Sequence, residues 1–327
     1  MIRHSLILAV ATATIQAYAT KLPEYEIITT GTLAQSSSGQ ITRVKISSHH
    51  LADELIVDVW TPEGYRHDGD VKYPTIYAHD GQNLFDSALC YGGVAWELDD
   101  LTSKLIDNDS IVAPIIVGIH NRGAKRASDY FPEKALNFIF DSDKNETKIF
   151  ETCHNEFLGD EEAAFVATEL KPLIDNLFDT NPDQQHTFAM GSSMGGLASA
   201  YLMCEYPDIF GGVACLSTHW IGSLDFGPDL SMTDDSVCAT AILSYLKSKL
   251  PSPTNHRIYF DQGTGKWDAG YSKYETIARQ IAAEVGYGTD NGTLETYDAV
   301  GADHNESSWQ KRVDRPIKFL IGQANYR

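Results

Sequence analysis

The sequence predicts a doubly wound α/β domain with a mostly parallel sheet, and three observations lead there. Strand-like runs open the chain and then, beyond residue 62, alternate with amphipathic helical stretches. Some strand runs, such as IVAPIIVGI at 111–119, are almost wholly apolar, as a strand covered on both faces must be. A chain of 327 residues, 43% hydrophobic, is large enough to bury one such core.

The elements follow in order. MIRHSLILAVATATIQAYAT has a basic start at Arg3, an apolar run from Leu6 and the small-residue pattern Ala17-Tyr18-Ala19. That is the layout of a cleavable export signal over residues 1–19, which leaves 20–327 as a single mature domain. The apolar run is too short to span a bilayer, and no later stretch does better. Residues 24–62 carry leading strands, among them ITRVKIS with its alternation and ELIVDVWTP closed by proline. YPTIYAHD is a buried strand, AWELDDLTSKLID a helix and IVAPIIVGI a central strand. Residues 121–160 are long, polar and without clear period, an insertion over the sheet's C-terminal edge where α/β ligands bind. DEEAAFVATELKPLIDNLF is a helix with acidic residues in its first turn. HTFAM, GGVACLS and HRIYFDQ are strands, and MGGLASAYLMCEY is the helix after the first of them. DAGYSKYETIARQIAAEVG is a helix closed by Gly286, TLETYDAVG a strand, and SSWQKRVDRPIKFLIG the final helix.

The net charge is −20, and removing residues 1–19 takes away only Arg3, leaving about −21. Nucleic acid and anionic membranes are poor partners for such a chain. Five cysteines leave at least one thiol free. Cys204 and Cys215 fall in apolar contexts, while Cys90, Cys153 and Cys238 fall in predicted loops and are the candidates for a bridge that export would permit. No H-E-x-x-H or C-x-x-C occurs, so neither a catalytic metal nor a cofactor is expected. DSDKNE at 141–146 imitates the start of a calcium loop, but Glu146 stands where glycine is required.

The chemistry gathers at QHTFAMGSSMGGLASAYLM. A strand, then Gly191-Ser192-Ser193-Met194-Gly195, then a helix is the nucleophile-elbow pattern G-x-S-x-G. Its central residue, Ser193, must sit on a tight turn that lifts the hydroxyl above the sheet, and small neighbours let strand and helix approach. The same turn aims the Met194 amide and the helix N-terminus at a developing oxyanion. A serine needs a base and the base an orienting acid, in the chain order serine, acid, histidine. YDAVGADHNESSW places His304 between the last strand and last helix. His79, His120 and His219 also end strands, but lie before the serine or too close after it. IYFDQGTGKWDAGY offers Asp268 in its loop, preferred as the acid, with Asp261 at the strand's end as the alternative. The loop after IYAHD should supply the second oxyanion amide, from Gln82, with Gly81 permitting the turn.

HDGQNLFD, ELKPLID, GSSMGGL and HNESSW together resemble the esterase family of α/β-hydrolases. That family includes enterochelin, feruloyl and acetyl-xylan esterases, S-formylglutathione hydrolase and mycolyltransferases. The resemblance spans roughly residues 40–323. It implies an α/β-hydrolase fold, with leading antiparallel strands, a mostly parallel central sheet and helices on both faces. It also implies a Ser–acid–His hydrolase of esters or thioesters, with Ser193, Asp268 and His304 catalytic and the Gln82 and Met194 amides in the oxyanion hole. NRGAKRASDYFPEKAL resembles the family's R-x-x-E-Y-x-P stretch, with Asp129 in place of the glutamate.

Trp96, Trp220, Trp267 and Trp309 lie in or beside the expected rim loops. Trp309 reads as core, while Trp220 and Trp267 are candidates to line an acyl or aromatic-alcohol pocket. Asp80 and Gln82 could each hold one substrate hydroxyl. The expected protein is therefore an exported serine carboxylic-ester hydrolase acting on a small neutral ester. The rivals are an acyltransferase of the mycolyltransferase type, a siderophore trilactone esterase and a non-catalytic binding protein on the same scaffold. Of the sequons at Asn108, Asn145, Asn291 and Asn305, the last adjoins the proposed base, where a glycan would block the site, which points to a bacterial periplasmic or secreted protein.

Overall fold

Side chains of a strand alternate between faces, so two apolar faces need two layers of helix to cover them. The computed structural model, which describes residues 22–67, 69–139, 156–222 and 236–326, shows this arrangement. Residues 1–19, the DSDKNE stretch and Cys153 lie outside the described residues. The strands are β1 (Glu24–Ile28), β2 (Gln40–Ser47), β3 (Glu54–Thr61), β4 (Thr75–His79), β5 (Ile115–Ile119), β6 (Thr187–Ser192), β7 (Gly212–Leu216), β8 (Arg257–Gly263) and β9 (Leu294–Ala299). They form one sheet in the order β1-β2-β3-β5-β4-β6-β7-β8-β9. The β1–β2, β2–β3 and β3–β5 pairs are antiparallel, and the remaining pairs are parallel. Every residue of β4, β5, β6 and β7 is buried, which is why their sequences are nearly continuous apolar runs.

The helices are α1 (Leu98–Asp107), α2 (Arg126–Tyr130), α3 (Gly159–Ala164), α4 (Lys171–Leu177), α5 (Met194–Glu205), α6 (Ser236–Lys249), α7 (Ser272–Val285), α8 (Glu306–Gln310) and α9 (Asp314–Ile321). The core is split by the sheet. Tyr77, Val117, Ala189, Val213 and Phe260 face residues of α3 to α7. Their neighbours in the strands, Ile76, Ile116, Phe188, Ala214 and Tyr259, face α1 and α9 on the other side.

Several boundaries differ from the sequence expectation. The helix expected over 160–178 is continuous but contains a π-helical segment, Phe165–Leu170. It lies just before Pro172, which cannot complete the i→i−4 ladder. The final helix is two, because Pro316 lacks the N–H that would bond the Arg312 carbonyl and so restarts the helix at Asp314. Helix α1 begins at Leu98 because Glu97 is left-handed, at φ 53°. Helix α6 had no sequence signal: the stripe it turns outward, Thr240, Ser244, Lys247 and Ser248, is mostly small hydroxyl residues, so it contrasts weakly with the buried face. Cys238 lies in this helix and not in a loop, and it is buried. Cys90 is a free thiol, donating to the Gln82 and Asp86 carbonyls. No helix among the described residues is long and apolar enough to cross a membrane.

Candidate active site

Because the central strands are parallel, their C-terminal ends share one edge, and the loops that follow β4 to β9 meet there. Ser193 stands between β6 and α5 with φ 55° and ψ −124°, a conformation that costs a serine about 1–3 kcal/mol. The surroundings hold it: its N–H donates to Leu216 O at 2.9 Å, and its carbonyl accepts from His219 N at 3.1 Å. The turn closes because Gly191 and Gly195 touch. A Cβ on Gly191 would lie 2.5 Å from the Gly195 carbonyl. Gly191→Ala is therefore expected to cost about 1–3 kcal/mol, as overpacking does; an unchanged denaturant midpoint would show the contact to be slack.

His304 Nε2 lies 2.8 Å from Ser193 Oγ, and His304 Nδ1 lies 2.6 Å from Asp268 Oδ1. The rings of Tyr271, stacked at 4.9 Å, and Trp309, edge-on at 5.0 Å, fix the imidazole plane. Asp268 is fully buried. Burial pushes its carboxyl up, but hydrogen bonds from His304, Ser217 and the Gly263 amide outweigh that and hold it below the usual carboxylate range. Asp261, the alternative acid, faces elsewhere: both its oxygens bind Arg312, at 2.9 and 3.0 Å.

Two supports of this chain carried no sequence signal. Ser217 donates to Asp268 Oδ2 at 2.5 Å while accepting from Arg312 Nη2 at 2.7 Å and Trp309 Nε1 at 3.1 Å. Asp261 thus positions Arg312, Arg312 positions Ser217, and Ser217 positions Asp268. Asp303 Oδ1 accepts the amides of Trp267, Asp268 and His304, at 2.8, 3.3 and 2.9 Å, which ties the acid loop to the histidine loop. A serine just after a strand and an Asp beside a histidine are too common in sequences to mark such roles.

A cavity of about 510 Å³ opens above Ser193 and His304, with Gln82, Asn121, Arg126, Glu306, Tyr91, Trp267 and Trp309 among its lining residues. Met194 follows the serine as the first residue of α5, whose amide has no intrahelical acceptor. Gln82 lies in the 3-10 turn Gly81–Asn83. The left-handed residue of that turn is Asp80, at φ 59°, and not Gly81; the glycine is needed because a Cβ there would meet Gly118 backbone at 2.3 Å. Asp80 lines the cavity, but its carboxylate is engaged by Arg126 at 2.7 Å through both oxygens and by Asn121 at 2.6 Å. Its partners Asn121 and Arg126 lie in the segment that follows β5.

Trp267 lines the cavity as expected of its loop, and so does Trp309, although it is buried. Trp96 packs against Trp309 from below. Trp220 departs from its expected place. It is 1% exposed, packs edge-on against Phe260 and donates Nε1 to Glu275 at 2.8 Å, away from the cavity. Burial raises Glu275 to about 7 against the pull of Arg279 and Trp220. The other strand-end histidines have partners of their own. His79 lies between Ser199 and Glu162, and His120 binds Asp58. Among the described residues, no group of three or more His, Cys, Asp or Glu could hold a metal ion.

Comparison with known proteins gives the chain a family and supports its fold. Residues 48–320 match the family described as "Putative esterase". An uncharacterized Bacillus subtilis protein, YbbA, is 24% identical over 283 residues, covering 84% of this chain and 96% of that one. A ferulic acid esterase superposes with a TM-score of 0.59 at 15% identity, over 88% of this chain and 99% of that one. An IroE-like serine hydrolase from Shewanella oneidensis gives 0.60 at 18% identity, over 86% and 79%.

Proposed function

The chain belongs to the esterase family it matches over residues 48–320, and from that premise we propose that it is an exported serine carboxylic-ester hydrolase working through an acyl-enzyme. The observation that carries the reading is the run of contacts from Ser193 Oγ to His304 Nε2, and from His304 Nδ1 to Asp268, at 2.8 and 2.6 Å. Ser193 attacks the ester carbonyl and His304 takes its proton. Asp268 holds the Nδ1–H tautomer and stabilises the imidazolium. The Met194 and Gln82 amides receive the oxyanion, which the N-terminus of α5 also favours. His304 then protonates the departing alcohol, and water cleaves the acyl-enzyme by the same steps in reverse. The signal-like segment 1–19 supports export, and mature protein recovered outside the cytoplasm should begin near residue 20.

The cavity supports a small neutral ester. Tyr91, Trp267 and Trp309 give it aromatic walls, while Asp80 and Arg126 neutralise each other and leave Glu306 unbalanced. An anionic substrate would meet that carboxylate and the strongly negative chain. The deciding measurement is turnover of short p-nitrophenyl esters, with and without an excess of alcohol or sugar acceptor. Free acid should dominate. Acylated acceptor in excess at modest acceptor concentration would make the protein an acyltransferase, and no p-nitrophenol release at all would remove the esterase reading.

A further inference from the structure

The turn that carries the second oxyanion donor is strained and heavily braced. Asp80 is left-handed, at φ 59°, where a side chain costs about 1–2 kcal/mol that glycine would not. Each of its polar groups is taken. Its N–H donates to the Tyr130 hydroxyl at 3.2 Å, its carbonyl accepts from Asn83 N at 2.9 Å, and its carboxylate binds Arg126 and Asn121. The turn's own bonds come from the Asn83 and Leu84 amides, to the Asp80 and Gly81 carbonyls. The Gln82 amide, at the start of the turn, is left out of them.

Asn121 reaches both sides of that amide. Its Nδ2 donates to Asp80 Oδ1 at 2.6 Å, and its backbone N–H donates to Gln82 Oε1 at 3.2 Å. The Gly81–Gln82 peptide, which carries the donor, lies between the two residues so held. The partners also fix which way the Asn121 amide faces. Burial pushes the Asp80 carboxyl up, but Arg126 and Asn121 outweigh that and hold it below the usual carboxylate range, so it can only accept. The Gly123 N–H can only donate, and it meets Asn121 Oδ1 at 2.9 Å. Asn121 stands on a firm base: the preceding His120 donates its backbone N–H to Ile56 O at 3.0 Å, and its Nε2 lies 2.8 Å from Asp58.

We infer that Asn121 is a positioning residue of the oxyanion hole, which holds the turn after β4 from both sides and so keeps the Gln82 amide aimed at the carbonyl oxygen of the ester. The inference rests on the serine-esterase reading. It commits the Asp80 and Gln82 side chains to the turn and takes them away from substrate hydroxyls. Asn121 moves no proton and forms no bond to the substrate. Its effect falls on the negative charge that develops on the carbonyl oxygen, in acylation and deacylation alike. The ground-state ester carries little of that charge, so binding should be spared.

Asn121→Asp is nearly the same size, keeps an oxygen for Gly123 and sets a second carboxylate against Asp80. Asn121→Ala removes both side-chain bonds. With p-nitrophenyl acetate each should lose about 10- to 100-fold in kcat, less than the loss of a whole oxyanion donor, with KM within about twofold of wild type. An aryl trifluoromethyl ketone gives a separate readout. Ser193 Oγ adds to its carbonyl carbon, the hydroxyl proton passes to His304, and the ketone oxygen becomes an oxyanion in the hole. Its Ki should rise by the factor by which kcat/KM falls, while the Ki of the matching methyl ketone, which stays unreacted, should not change. Gln82→Met, which removes the Oε1 acceptor and keeps the amide, should give the same pattern to a smaller degree. Turnover within about twofold of wild type in both Asn121 variants would overturn the inference. So would a loss carried by KM alone, or a fall in kcat with the trifluoromethyl ketone's Ki unchanged, the marks of a residue that only shapes the pocket or supports the fold. A wild-type enzyme that releases no p-nitrophenol would instead overturn the esterase reading beneath it.

Discussion

Ser193→Ala should abolish ester hydrolysis and leave the fold intact. The hydroxyl is the nucleophile of the proposed mechanism, while the backbone around it is held by the Leu216 carbonyl and the His219 amide, which alanine keeps. A serine-directed phosphonate should label Ser193 and leave Ser192, which is buried at the end of β6. His304→Ala should lose about 10⁴-fold or more in kcat, because the members of such a chain act as one unit and each loss costs nearly the whole effect. Near-normal turnover by the Ser193 variant, or label on Ser192, would remove the mechanism.

The second large effect is expected at the acid. Asp268→Asn places an amide against His304 Nδ1. If the amide N–H points there, the imidazole is driven to the tautomer that cannot take the serine proton. The loss should be about 10³- to 10⁴-fold in kcat. Asp261→Asn should act differently. It weakens the pair with buried Arg312, so it should cost stability, up to about 3–5 kcal/mol, and reach activity only through Ser217. Measuring kcat/KM and the denaturant midpoint for both variants separates the roles. If Asp261→Asn loses more activity at equal stability, the two acids have been assigned the wrong way round. Because the fold holds Asp268 below its ordinary range, the stability it contributes is present above pH about 4 and is lost as pH falls through its folded-state value.

The sheet was legible because its cause is local. A strand buried on both faces must be apolar throughout, and β5 and β6 announce themselves that way. The elbow was legible for a related reason: only glycine permits the Gly191–Gly195 contact, so the chain displays its glycines at that spacing. His304 and Asp268 followed from chain order, since each lies in a loop after a late strand, and parallel strands bring such loops to one edge. Trp220 shows the limit. Its position after β7 suggested the rim, yet the direction of a side chain from a loop is set by its partners, here Phe260 and Glu275.

By itself, then, the sequence determined the α/β layering, the mostly parallel sheet, the elbow at Ser193, the histidine that could serve it and the two aspartates that could serve the histidine. Those features rest on side-chain period, on steric need for glycine and on the order of loops along the chain, all of which are written in one dimension. Only the tertiary structure decided which aspartate meets His304, and that Arg312, Ser217 and Asp303 brace the pair. It also placed Tyr271 and His219 behind the nucleophile. These are contacts between residues far apart in the chain, Ser217 and Arg312 being separated by 95 positions. A hydrogen bond depends on distance and angle in the folded molecule, and folding brings such residues together by packing the whole sheet and its helices, which no local stretch encodes.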